Sequence, residues 1–190
     1  MRREDRLSWA TKEFKAANLT YEIIEAVDGS LIESDRVDID RGNMGCTLSH
    51  LKALKLAKER NLRNILICED DIDFIQGIQQ KFNDMINQLP VWWDVLYLGY
   101  NPVPFRQPML LDFSRNLKRA NSVLTTHCIG VNARMYQDLI TKIETDTNRP
   151  IDVHHHDIQP YYNYFAVDPM LAFQRAGHSD IENKDVNYQK

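Results

Sequence analysis

The chain has 190 residues, 43% of them hydrophobic and 26% charged, a size and balance that fit a single domain over residues 1–190 with a core that needs no covalent staples. A formal net charge of −4 offers no general attraction to nucleic acid or an anionic membrane, and no segment approaches the roughly 20 apolar residues of a membrane span. The charged start Met1-Arg2-Arg3-Glu4-Asp5-Arg6 leads into no apolar core and does not read as a signal peptide. The three cysteines, Cys46, Cys68 and Cys128, make no closed disulfide framework and read as reduced core residues, so a cytoplasmic location is expected.

Leu7, Ala10, Phe14 and Ala17 recur at helical spacing and predict a first helix of about three turns. Tyr21 to Ala26 reads as a strand stopped by the turn signal Val27-Asp28-Gly29-Ser30, and Leu31 to Arg41, polar and without a period, as loop. Gly42 to His50 precedes a helix that carries Leu51, Leu54 and Leu56 and ends near Arg60-Asn61. Two glycines ahead of a Thr or Ser cap allow close backbone approach, and first-turn N–H groups offer an anion-binding end. A glycine kept for packing explains the same letters, and the spacing matches neither the P-loop nor the dinucleotide fingerprint.

The run Asn64-Ile65-Leu66-Ile67-Cys68 reads as an interior strand, and it ends in Glu69, Asp70, Asp71 and Asp73, four carboxylates within five positions. Adjacent carboxylates repel unless a cation neutralises them, and hard oxygens suit Mg²⁺ or Mn²⁺; a solvated acidic turn is the plain alternative. Alternation along an extended chain puts Glu69 and Asp71 on one side and Asp70 elsewhere. Ile78 to Leu89 then predicts a helix closed by Pro90, Trp92 to Gly99 a buried strand, and Pro102, Pro104 and Pro108 an irregular loop. Ser122 to Val131 predicts a strand and Ala133 to Glu144 a helix. Strands alternating with helices argue for an α/β fold, a Rossmann-type mostly parallel sheet with helices on both faces.

Near the end, His154-His155-His156 invites a metal reading, but adjacent side chains point in different directions and rarely close on one ion. Asp152 is more pointed, a lone acid between Ile151 and Val153 that is either paired in the core or held at a site. Gln174, His178, Ser179 and Asp180 follow the apolar run Met170 to Phe173.

In order along the chain, Ala26-Val27-Asp28-Gly29, Gly45-Cys46-Thr47-Leu48-Ser49-His50, Glu69-Asp70-Asp71-Ile72, Trp93 to Gly99, Pro150-Ile151-Asp152 and Pro169 through Gln174 to Ser179-Asp180-Ile181 resemble glycosyltransferase family 25. That family includes lipopolysaccharide galactosyltransferases of bacteria and collagen galactosyltransferases of animals and some large viruses, so the compartment implied is a bacterial or virus-infected host cytoplasm. The resemblance implies a GT-A-like fold and inverting transfer of a hexose, galactose or glucose, from a UDP-sugar. The acceptor would be a hydroxyl on a glycan or on a hydroxylysine-type protein side chain, and the cofactor Mn²⁺. It assigns the base role to Asp152, with Asp180 next, donor contacts to Gly45, Thr47, Ser49, His50 and Asp70, and metal ligation to Glu69, Asp71 and His178. The family's usual opening strand has no counterpart here, so an exposed sheet edge, self-association into a homo-oligomer and weak donor binding are expected. The alternative is a non-catalytic GT-A-like module that binds carbohydrate or protein. A metal-dependent phosphohydrolase or nuclease fits the carboxylates but not the surrounding motifs.

Overall fold

The apolar run of residues 64–68 forms a strand because it has a partner. β1 (Asn64–Cys68) pairs antiparallel with β6 (Cys128–Asn132), and the two carry Cys68 opposite Cys128. A computed structural model describes residues 3–32, 40–101, 109–179 and 184–187. The proline-rich 102–108, most of the acidic loop and Asp180 lie outside them.

Beyond these two strands come α1 (Glu4–Ala16), a 3₁₀ turn Gly29–Leu31, α2 (Arg41–Glu59), β2 (Ile72–Phe74), α3 (Ile78–Ile86), β3 (Val95–Tyr97), β4 (Met109–Asp112) and β5 (Leu117–Ser122). After β6 follow α4 (Ala133–Thr145), α5 (Ile151–Ile158), a second 3₁₀ turn Gln159–Tyr161, β7 (Tyr164–Val167), β8 (Ala172–Gln174), β9 (Gly177–Ser179) and β10 (Lys184–Val186). The helices expected from spacing are all present. The strand expected over residues 21–26 is not, and side chains of α2 hold the end of that segment and the residue after it. Lys52 Nζ donates to the Glu25 carbonyl (2.9 Å), and the Val27 amide donates to Ser49 Oγ (2.9 Å).

The fold class is mixed α/β, and the expected mostly parallel sheet is corrected. Six strands run in the order β1-β6-β3-β7-β5-β4, and only β3 and β7 are parallel. A parallel pair needs a long crossover. The residues read as one strand from Ser122 to Val131 are instead the end of β5 and the start of β6, joined by a short link with no helix. β1 is also an edge strand rather than an interior one, with Leu66 42% exposed. Its apolar run reflects burial at one edge only: Ile65 and Ile67 pack on the helical side.

Helices cover both faces. α2, α4 and α5 bury Leu54, Leu139, Ile143 and Ile151 against Val95, Tyr97, Ile129 and Tyr164. The opposite face is covered by α3 and the β2–β8 ribbon, through Ile78, Met85 and Ile72 against Leu96, Leu98, Phe165 and Val167. α1 buries none of its residues; Phe14 meets Phe74 edge-on at 5.3 Å. Among the described residues no helix is long and apolar enough to cross a membrane.

Candidate active site

α2 starts earlier than its letters suggest. Asp40 caps it, accepting from the Asn43 amide at 3.0 Å, so Gly45, Thr47, Ser49 and His50 lie inside the helix. The expected anion-binding helix end at these residues is therefore corrected, since their amides follow the first turn. Gly45 tolerates the helix interior because the chain crosses close by: a Cβ there would stand 2.8 Å from the Val27 carbonyl oxygen and 2.9 Å from the Gly29 nitrogen. Ser49 joins the same contact, donating to the Gly45 carbonyl at 2.7 Å and accepting from Val27. Thr47 is fully buried, and its hydroxyl donates to the Arg149 carbonyl (2.9 Å), which fastens α2 to the start of α5.

That fastening sets three chain segments against one another. Glu69 leaves the sheet at the end of β1, its amide bonded to the His127 carbonyl at 2.9 Å. Its carboxylate accepts from Thr126 Oγ1 at 3.0 Å and lies 3.4 Å from His50 Nε2. Cys46, one helical turn before His50, offers its thiol to the same place: one donor atom each from Cys46, His50 and Glu69 lie within 4.8 Å of one another. Asp152, in the first turn of α5, is near enough to feel the charge of Glu69. Burial raises its carboxyl above the usual range, the Val153 amide pulls it down, and the charge of Glu69 pushes it up again. Burial would raise Glu69 too, yet His50, with His127 and Thr126, holds it below the ordinary value. Burial first, then the charges of Glu69 and Asp152, lifts the Cys46 thiol well above its usual range.

Asp70 and Asp71 occupy the turn between β1 and β2 rather than a strand end. Asp71 Oδ2 accepts from Gln174 Nε2 at 3.0 Å and lies 3.4 Å from Arg6 Nη1, while Oδ1 is buried without a hydrogen-bond partner. Burial and the charge of Glu69 lift Asp71 to about 6, against the pull of Gln174 and Arg6. Asp70 is exposed and accepts from the same Arg6 nitrogen at 2.9 Å. Arg6 also donates to the His178 carbonyl at 2.6 Å, so the backbone of β9 borders the acid turn. The His178 imidazole lies 3.2 Å from Asp185 on β10. Asp73, the fourth acid, pairs with Arg175, which stacks over Trp9 at 4.1 Å and holds α1 against the ribbon.

The three histidines of α5 have three separate partners: His154 with the Asp146 carbonyl, His155 with the Tyr164 hydroxyl and His156 with the Ser122 hydroxyl. Burial drives His155 down to about 3. Sequence reasoning missed Arg6, Thr126 and His127 as members of the site; Cys46, read as a core cysteine, does pack against the core and also lies beside Glu69. The signal for Thr126 and His127 was present, since a Thr-Thr-His trio interrupts the apolar run from Val123 to Val131. Gly99, just after β3, closes the floor: a Cβ there would collide with the Ala172 carbonyl and stand 2.5 Å from His127 Nε2.

Glu69, Asp70 and Asp71 thus sit where β1 leaves the sheet, and Asp152, with its carboxyl raised by burial, lies on α5. Residues 1–109 match Glycosyltransferase family 25 (LPS biosynthesis protein), and the chain belongs to that family. Among curated relatives it is similar to procollagen galactosyltransferase 2 of Homo sapiens, 23% identical over 200 residues that cover 90% of this chain and 32% of that protein. It is also similar to procollagen galactosyltransferase 1-A of Xenopus laevis, 24% identical over 209 residues, 90% of this chain and 33% of that one. A third relative is inactive glycosyltransferase 25 family member 3 of Homo sapiens, 24% identical over 123 residues, 54% of this chain and 21% of that protein. The chain thus spans about a third of the procollagen galactosyltransferases it matches.

Proposed function

We propose that the chain is a metal-dependent hexosyltransferase domain that moves galactose or a related hexose from a UDP-sugar to a hydroxyl on a glycan or protein acceptor, with inversion. The observation that carries this reading is Asp71, a half-buried carboxylate lifted to about 6 beside Glu69 and left with a buried, unpartnered oxygen. Such a group is costly until a cation approaches it. The hard oxygens of Asp71 and Glu69 fit Mn²⁺, with exposed Asp70 beside them and His178, 3.2 Å from Asp185, as the further ligand the family resemblance implies. When bound, Mn²⁺ supplies positive charge against the leaving diphosphate.

The protein's own groups do the rest. Asp152, raised by burial, is the better proton acceptor for that shift and takes the acceptor hydroxyl's proton as it attacks from the face opposite the leaving group. His50 and Thr126 hold Glu69 in place through its Oε1. Gln174 orients Asp71. Thr47, by fixing the turn before α5, sets the position of Asp152 relative to the strand ends. Gly45 and Ser49 support this frame rather than touch the donor.

A non-catalytic binding module is the second reading, favoured by Arg6, which engages both Asp70 and Asp71. A relative named inactive points the same way. Free nucleotide released from a panel of nucleotide sugars, with Mn²⁺ and with or without saccharide and hydroxylysine-peptide acceptors, separates the two. Acceptor-stimulated release is expected for the transferase. Donor binding without release, under every acceptor, would leave only the module.

A further inference from the structure

The proposed transfer reaction makes direct use of Glu69, Asp71 and Asp152 and gives Cys46 no task. Cys46 and His50 are one helical turn apart on α2, so their side chains leave the same face of the helix. That face lies over the end of β1, where Glu69 emerges. Sulfur, nitrogen and oxygen donors from the three residues lie within 4.8 Å of one another. A tetrahedral ion with bonds of about 2.0–2.3 Å sets its donors about 3.3–3.8 Å apart. Side-chain rotations that contract the set by about 1 Å therefore close it.

A second observation concerns the burial of the histidine. His50 is only 4% exposed, yet its Nδ1 has no hydrogen-bond partner. Leaving such an atom unpaired in the interior costs about 1–3 kcal/mol. His50 Nε2 lies 3.4 Å from Glu69 Oε1, so the imidazole already faces the strand end, and coordination there fixes which nitrogen keeps a proton. One thiolate, one imidazole and one carboxylate form a borderline-soft donor set, suited to zinc and cobalt and poorly suited to manganese or magnesium.

We propose that Cys46, His50 and Glu69 form a binding site for a zinc-class divalent ion, which shares Glu69 with the all-oxygen site at Asp71 and differs from it by its sulfur and nitrogen donors. Binding replaces the Cys46 thiol proton by the metal, and the proton passes to solvent. Three protein ligands leave a fourth position to water or to a group entering the crevice.

Cobalt tests this directly, because a thiolate bound to Co²⁺ absorbs in the near ultraviolet whether or not the protein turns over sugar. Chelator-treated protein titrated anaerobically with Co²⁺ is expected to develop that absorption to a stoichiometric end point and to release a proton. Cys46→Ser is expected to abolish the absorption and to weaken Zn²⁺, measured against a chromophoric chelator, by more than about 100-fold, since even an outer-shell loss costs 10- to 100-fold. Cys68→Ser and Asp71→Asn are expected to keep the absorption. Should Cys46→Ser fail to fold, His50→Gln in a cooperatively melting protein reads the same site through its loss of Zn²⁺ affinity. Folded wild-type protein without the thiolate absorption, an absorption that survives Cys46→Ser, unchanged Zn²⁺ affinity in His50→Gln, or loss of the absorption in Asp71→Asn each overturns the proposal.

Discussion

Replacing Asp71 by Asn should stabilise the metal-free protein at neutral pH, the reverse of what removing a hydrogen-bonded side chain does in most places. Asp71 ionises near 3.8 in an unfolded chain and near 6 in the fold. Between those values the folded chain still holds a proton that the unfolded chain has lost, so stability falls as pH rises through that window. At about 1.4 kcal/mol per pH unit, the full penalty at neutral pH is about 3 kcal/mol. Coupling to Glu69 and partial solvent contact, with the Asp71 side chain 12% exposed, bring the expected gain to about 1–2 kcal/mol. Asn keeps an oxygen for Gln174 Nε2, so the contact at 3.0 Å survives. Urea unfolding at pH 7.5 and 4.5 measures the effect, which should shrink toward zero at the lower pH. Mn²⁺ should stabilise the wild type at pH 7.5 and leave the variant unchanged. A variant less stable than wild type at pH 7.5, or a difference independent of pH, would refute the reasoning.

Asp152→Asn should lower turnover by roughly 10² to 10⁴ while donor affinity stays close to native, read from kcat and from donor titration; equal loss of donor binding would make Asp152 a donor contact. Gly45→Val should act on folding rather than binding. Its Cβ would stand within 3.1 Å of the Val27 and Gly29 backbone, so thermal melting should show a loss of about 1–3 kcal/mol, with ligand affinity intact in the folded fraction. Arg6→Ala frees both acids of the turn from the guanidinium that bridges them. Since exposed pairs are worth up to about 1 kcal/mol, calorimetry should show Mn²⁺ binding about fivefold tighter.

What could be read from the letters was what depends on local chemistry. Four acids after a short apolar run announced the acid turn, a lone acid between Ile151 and Val153 announced Asp152, and helical spacing located α2, α3 and α4. Strand direction is set by pairing across the fold instead: β6 lies between β1 and β3, antiparallel to both, and not beside its chain neighbour β5. Edge position was hidden for a similar reason: Ile65-Leu66-Ile67 reads as buried on both faces, although Leu66 meets solvent. The start of α2 was misplaced because glycines argue against a helix by propensity. Here the Asp40 cap and the close crossing of residues 27–29 outweigh that preference. Cys46 and Thr126 belong to the site only through pairings across the fold, Cys46 with Glu69 and Thr126 with Glu69, and no local pattern carries those.

The most direct test is calorimetric titration of UDP and of UDP-galactose into the protein with and without Mn²⁺, for the wild type and for Asp71→Asn. Saturable donor binding that requires Mn²⁺ and disappears in Asp71→Asn is the expected result. Donor binding of equal strength without the ion, or unchanged in the variant, would contradict the placement of the donor's diphosphate at the acid turn.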